Sequence, residues 1–212
     1  VMAGEQGLLE LAGIESDVVV VGIVGLAALK PIIRCLGRTR RMALANKEAV
    51  LAAGELLMDR VRDSGTELFP VDSEAWGVYR LLRGVPRENI RKVYITASGG
   101  PFFFAERAVM EKAGIREVLD HPVWDMGSRI TVDSASFMNK GFEVIEIHRL
   151  FDIPLDMIDV LVHPQGAVHA LLETADGGLT TMMFTADMRV PIAYSLYYPD
   201  APREVSFLDL AA

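Results

Sequence analysis

The chain has 212 residues, 51% hydrophobic and 24% charged, the balance of a globular protein with a full core rather than a disordered chain. Its formal net charge of −8 argues against nucleic acid or an anionic membrane as the main partner. A single cysteine, Cys35, excludes a disulfide framework and a cysteine-held zinc; a buried, inert thiol in a reducing cytoplasm is the expectation.

The longest apolar run, residues 18–29, is interrupted by Gly22 and Gly25 and is too short for the roughly 20 residues that span a bilayer. The first residues lack the basic stretch of a signal peptide. Val1 is not an initiator methionine, so the sequence is expected to be a portion of a longer one.

Leu8, Leu9, Leu11 and Ala12 have helical spacing that ends near Gly13. Residues 17–23 form a continuous β-branched run, the pattern of a strand buried on both faces. A helix over 25–36, closed by Gly37, and a second strand over 41–45 complete a βαβ unit, so a parallel sheet begins here. No Gly-x-Gly-x-x-Gly follows the first strand; a dinucleotide domain carries that fingerprint early, so its first half is expected to be missing.

A helix over 48–61, stopped by Gly65, leads to a strand over 67–71 and a helix over 75–83. A strand over 91–96, a glycine turn at 98–101 and a helix over 104–112 follow. Residues 121–129 have no period and read as a loop, 130–132 as a short strand and 136–150 as a helix. Three closing strands are expected at 157–162, 168–173 and 179–184, the last two joined by an Ala175-Asp176-Gly177-Gly178 hairpin turn. The expected fold is therefore α/β: a partial Rossmann-like βαβ segment, then an α+β domain whose mostly antiparallel or mixed sheet is open on one face. The softest boundary lies at 47–54, dividing residues 1–50 from residues 51–212.

Three groups could carry chemistry. Asp72 and Glu74 stand two apart after a strand, with both carboxylates expected on one side. With no lysine nearby in sequence, such a pair repels unless a cation intervenes, and oxygen-only ligation favours magnesium or manganese. The alternative is a solvated strand end. Ser98-Gly99-Gly100 after a strand offers backbone amides and a hydroxyl to an anion, or is an ordinary turn. Ser134, Ser136, Asn139 and Lys140 surround an expected helix start, where free amides and a positive dipole end suit a phosphate. Glu143 shares the face of Asn139 and Lys140 and would add a third carboxylate; otherwise Lys140 and Glu143 are a surface pair. His148 is expected on a helix surface, and His163 and His169 as structural histidines at a strand start. Met182, Met183 and Met188 are expected as core filler.

Several strings occur together and in order: Leu44-Ala45-Asn46-Lys47-Glu48, Pro70-Val71-Asp72-Ser73-Glu74, Ser98-Gly99-Gly100-Pro101-Phe102 and His121-Pro122-x-Trp124-x-Met126-Gly127. Val132-Asp133-Ser134-Ala135, Met138-Asn139-Lys140-Gly141, His163-Pro164-Gln165 and Asp187-Met188-Arg189-x-Pro191-Ile192 continue the series. The collinear set, which runs over nearly the whole chain, resembles the 1-deoxy-D-xylulose 5-phosphate reductoisomerase family. The resemblance implies that Asp72, Glu74 and Glu143 hold a divalent metal, Mg2+ or Mn2+. It implies that Ser98, Ser134, Asn139 and Lys140 bind the substrate phosphate and nearby hydroxyls, and that Lys47, Ser73 and His121 contact the sugar backbone. Asn46, Glu48 and Gly127 would touch NADPH, with Met188 near the nicotinamide.

Further expectations from the resemblance are a loop around His121, Trp124 and Met126 that closes over the substrate, and catalysis by Lys47, Asp72, Glu74, His121 and Glu143. The family's reaction rearranges the sugar-phosphate skeleton, most simply by retro-aldol cleavage and re-addition, and reduces the resulting aldehyde with NADPH. A homodimer in the bacterial cytoplasm or the plastid stroma, without nucleic acid or membrane partners, is also implied, as is the absence of a C-terminal helical domain.

The sequence departs from the family at Ala75-Trp76-Gly77, where His-Asn-Ala is usual, at Gly166 (serine) and at Ala186 (proline). Two other readings of the same groups are a metal-dependent sugar-phosphate isomerase or aldolase without hydride transfer, and a non-catalytic module that dimerises through its sheet.

Overall fold

The structure, a computed structural model, describes residues 3–200 and 205–209. After the helix α1 (Gly4–Ala12), the β-branched run forms β1 (Ser16–Val21), followed by α2 (Leu29–Cys35), β2 (Thr39–Leu44), α3 (Lys47–Ser64) and β3 (Glu67–Pro70). The three strands make a parallel sheet in the order β1-β2-β3. Ile32, Met42, Leu44 and Val50 are fully buried in the core that this sheet shares with α2 and α3, each contributing on the order of 1.5–3 kcal/mol by leaving water. Cys35 is buried here, as expected of an inert thiol, and burial raises its pKa.

The second half contains α4 (Ser73–Leu82), β4 (Ile90–Ala97), two short helices α5 (Arg107–Met110) and α6 (Ile115–Leu119), α7 (Ser128–Ala135), α8 (Met138–Phe151), β5 (Ile158–Val162), β6 (Val168–Thr174), β7 (Leu179–Met183) and α9 (Arg189–Tyr197). Its four-stranded sheet runs β5-β4-β6-β7, with β4 parallel to β5 and the other pairs antiparallel. The sheet is thus mixed. Val93, Ile95, Ala170 and Leu172 face a second core with Ala75 and Val78 of α4 and Ile147 of α8, while β5 and β7 remain largely exposed. Gly177 holds φ +85° in the β6–β7 turn, the left-handed geometry that the hairpin signal predicts.

The halves are coupled through α3 and α8. These helices pack along each other, with the Arg149 guanidinium over Gly54, where α3 kinks at φ 51°, ψ −129°. Helix α4 approaches β6 so closely that a Cβ at Gly77 would lie 3.0 Å from the Ala170 Cβ. The departure from the family's alanine at Gly77 therefore permits this packing. Its neighbour Trp76 fills the space beyond, edge-on to Phe184 and Tyr194.

Three expectations need correction. Residues 130–132 lie within α7, not in a strand: Thr131 is buried in a helical turn and its hydroxyl donates to the Gly127 carbonyl at 3.0 Å. A three-residue β-branched run is too short for periodicity to separate strand from helix. The helix expected over 104–112 contracts to Arg107–Met110. Asp72 and Glu74 do not extend a strand either, because β3 ends at Pro70 and Asp72 caps α4.

Candidate active site

Helix termini build the site. At the start of α3, the Asn46 side chain accepts from the Ala49 amide at 2.8 Å and donates to the carbonyls of Ile23 and Gly25 at 2.8 and 3.0 Å. This cap fixes the first turn of the helix and with it Lys47. At the start of α4, Asp72 Oδ1 accepts from the amides of Glu74 and Ala75, both at 3.2 Å. The cap turns Oδ2 towards Lys47, whose Nζ is 2.7 Å away. The first two turns of α8 supply Asn139, Lys140 and Glu143 on one face.

These turns converge. Lys47 Nζ also meets Glu143 Oε1 at 3.0 Å and Asn139 Oδ1 at 2.9 Å. Lys140 Nζ meets Glu74 Oε1 at 3.2 Å and contacts Glu143 Oε2. Asn139 donates to Glu143 Oε1 at 2.6 Å, and the Ser73 hydroxyl donates to Glu74. The carboxylates therefore do have lysines beside them, contrary to the sequence-based premise. Helix packing brings in Lys47 and Lys140 from 25 residues before and 68 residues after Asp72, a juxtaposition that spacing along the chain conceals.

Electrostatics follow from the burial. Removal from water opposes charge on Lys47, but Asp72, Glu143 and Glu146 around it prevail and hold its ammonium well above the usual range. The same burial opposes charge on Asp72, where Lys47 prevails and lowers the pKa. In Glu143 burial outweighs Lys140 and Lys47, and the pKa rises. Glu146, one turn further along α8, is pushed well up by burial and then by Asp72. Its Oε2 is buried without a hydrogen-bond partner among the described residues. Sequence reasoning missed Glu146, although its position three residues after Glu143 is the helical spacing that would have found it.

Oxygens of Asp72, Glu74 and Glu143 all lie within 4.8 Å of one another. An all-carboxylate set with no nitrogen or sulfur donor fits a hard divalent cation such as magnesium or manganese.

These residues line a cavity of about 540 Å3, a size suited to a small molecule. Asn46, Lys47, Glu48, Asp72, Ser73, Glu74, Ser98, His121, Gly127, Ser134, Asn139, Lys140, Glu143 and Met188 all line it. Ser136 does not, since its hydroxyl is turned back onto the carbonyls of Val132 and Asp133. Ser134 belongs to the last turn of α7, not to the start of α8. Gly99 and Gly100 hold φ +95° and +70°, and a Cβ at Gly100 would lie 3.1 Å from the Ser134 carbonyl oxygen. Glycine is thus what lets the end of β4 meet the end of α7. Arg129, which no sequence signal singled out, lines the cavity with its Nη1 3.9 Å from Glu48 Oε1.

The remaining histidines and methionines divide by surroundings. His169 is buried, stacked on Phe184 at 3.7 Å, and its Nε2–H donates to the Phe184 carbonyl at 3.2 Å. Burial lowers its pKa to about 4, so it is structural, as expected. His148 is half-buried rather than on the surface, and its Nδ1–H donates to the Ile153 carbonyl at 2.8 Å. Met182 packs on the second core, Met183 is exposed, and Met188 faces the cavity.

Comparison with known proteins agrees in every direction. Residues 1–54 match the model of 1-deoxy-D-xylulose 5-phosphate reductoisomerase, and residues 68–151 match the model of the same enzyme's C-terminal domain. The reductoisomerase of Thermoanaerobacter pseudethanolicus is 43% identical over 213 residues, covering 100% of this chain and 56% of the relative. That of Moorella thermoacetica is 46% identical over 214 residues, covering 100% of this chain and 55% of the relative. A crystal structure of DOX-P reductoisomerase in complex with NADPH, fosmidomycin and magnesium superposes with a TM-score of 0.91 at 38% identity, covering 98% of this chain and 54% of that one. The chain spans about half the length of these relatives, and it belongs to the 1-deoxy-D-xylulose 5-phosphate reductoisomerase family.

Proposed function

We propose that the protein represented by this chain is an NADPH-dependent, divalent-metal-dependent enzyme. It isomerises and reduces 1-deoxy-D-xylulose 5-phosphate to 2-C-methyl-D-erythritol 4-phosphate, an isoprenoid precursor. The observation that carries this reading is the convergence of Asp72, Glu74 and Glu143 within 4.8 Å, in one cavity with every residue expected to bind the substrate or the cofactor. The related structure that holds NADPH, fosmidomycin and magnesium supports the same set of ligands for this chain.

Asp72, Glu74 and Glu143 would hold Mg2+ or Mn2+, which supplies Lewis acidity at the substrate's carbonyl and hydroxyl oxygens when bound. Lys47, already between Asp72 and Glu143, is placed to exchange a carboxylate for a substrate oxygen. Ser73 orients the sugar backbone, and His121 flanks it from the wall of the cavity. Ser98, Ser134, Asn139 and Lys140 receive the phosphate, whose binding away from the reacting carbons fixes their position. Asn46 and Glu48 of α3, with Gly127 and Met188, form the cofactor side, and NADPH contributes the hydride. Trp124 and Met126 beside His121 exclude water as their loop closes.

Residues 1–50 would be the last part of the NADPH-binding domain and residues 51–212 the catalytic domain. The exposed face of the four-stranded sheet is the surface for a homodimer, in the bacterial cytoplasm or the plastid stroma. The test is NADPH oxidation by the full-length protein, which should require both the sugar phosphate and the divalent cation. Consumption of the substrate without NADPH oxidation would instead make the protein an isomerase or aldolase.

A further inference from the structure

His121 has one ring nitrogen with a fixed role. Its Nδ1 accepts two backbone hydrogen bonds, from the amides of Val123 at 3.2 Å and Trp124 at 2.9 Å. An amide hydrogen cannot be turned away as a hydroxyl hydrogen can, so Nδ1 must present its lone pair to both. The neutral ring then carries its proton on Nε2. That nitrogen lies 3.1 Å from the Ser98 hydroxyl oxygen, at the end of β4 in the wall of the cavity. A second proton on the ring would point an N–H at the two amides, and burial independently lowers the pKa.

With Nε2–H donating, Ser98 Oγ accepts and its own proton has to be directed elsewhere. We propose that His121 is a positioning residue that works through Ser98: backbone amides fix the ring, the ring donates to the serine, and the serine is left as a donor to the substrate's phosphate group. Every link runs in the same direction, ending on a hydroxyl in the cavity wall that also holds Ser134, Asn139 and Lys140. Polarised chains of this kind strengthen their last donor. A consequence is that His121 serves the reaction as a donor and not as a general base. The inference rests on the phosphate-bearing substrate proposed above.

Two substitutions separate this role from simple closure of the turn. An asparagine at position 121 can accept from the same two amides through its Oδ1, but it has no atom within reach of Ser98. A glutamine can present an amide N–H near the position of Nε2. Affinity for the phosphonate fosmidomycin is measured by calorimetry on the full-length protein with magnesium. His121→Gln should stay within about threefold of the wild type, whereas His121→Asn and Ser98→Ala should each lose about tenfold, the scale of one charge-assisted hydrogen bond. The double variant His121→Asn/Ser98→Ala should bind no more weakly than Ser98→Ala alone. Nitrogen-15 spectra of the unliganded protein should show His121 protonated at Nε2 and bare at Nδ1.

Wild-type affinity in His121→Asn would reduce the histidine to a turn cap and overturn the proposal. So would losses that multiply in the double variant, or a protonated Nδ1. If the wild-type protein itself failed to bind fosmidomycin, the substrate reading would fall and the relay with it.

Discussion

At the scale of single residues, burial decides what each ionisable group does. Lys47 and Lys140 are held between carboxylates, and removing one member of a buried ion pair leaves an uncompensated charge. His169 is the opposite case, a buried ring on which removal from water outweighs the Phe184 carbonyl and the more weakly felt Asp72. Its pKa is lowered from 6.5 to about 4, so between those values the unfolded chain binds a proton that the folded chain excludes. Stability present above pH 6.5 is therefore lost as the pH falls towards 4, by up to about 3 kcal/mol from this group. Thermal melts across that window should show a smaller fall in His169→Phe, which keeps a ring against Phe184, than in the wild type. Equal slopes would contradict the burial argument. The identities of the chemical groups were legible here, because carboxylates, serines and glycines in ordered strings need no structure to be recognised. Their pairing was not: Asp72 meets Lys47 across helix ends that come together only in the folded chain.

Among the elements, caps and glycines decide where helices begin and stop. Gly65 ends α3 at φ +70° with no atom within 4 Å of an added Cβ. Gly65→Ala should thus cost about 1–2 kcal/mol from backbone strain alone. Gly141 lies inside α8, also with open space around it, and Gly141→Ala should stabilise by about 0.5–1 kcal/mol. Opposite signs in chemical denaturation would support the local reading, and equal signs would contradict it. Long periodic segments such as α3, α8 and β4 could be read from the sequence, as could the hairpin with its glycines. Shorter pieces could not. Ile130-Thr131-Val132 suggests a strand by composition, yet forms a helix because its anchors lie outside the triplet, at Gly127 and in the packing of α7 on α8.

Over the whole molecule, two sheets with separate cores meet through α3 and α8, and the site lies where their first turns converge. The four-stranded sheet ends in β5, whose Val160, Leu161 and Val162 are each about 40% exposed. Apolar side chains exposed together on a sheet in this way mark a surface for association. Sedimentation velocity should show a dimer that Leu161→Lys shifts towards monomer, and an unchanged distribution would place the contact elsewhere. Parallel and mixed pairing could be anticipated from the βαβ order and the closing hairpin, whereas the strand order β5-β4-β6-β7 requires contacts that no local pattern encodes.

The central claim is that the carboxylates gathered by α4 and α8 bind a metal on which sugar-phosphate binding depends. It is tested most directly by calorimetric titration of the chain with 1-deoxy-D-xylulose 5-phosphate, with and without manganese, beside Glu143→Ala and with folding checked by circular dichroism. Binding that requires manganese and disappears in Glu143→Ala is the predicted result. A folded wild-type chain that binds no substrate, or binds it equally well without the metal or without Glu143, would contradict the claim.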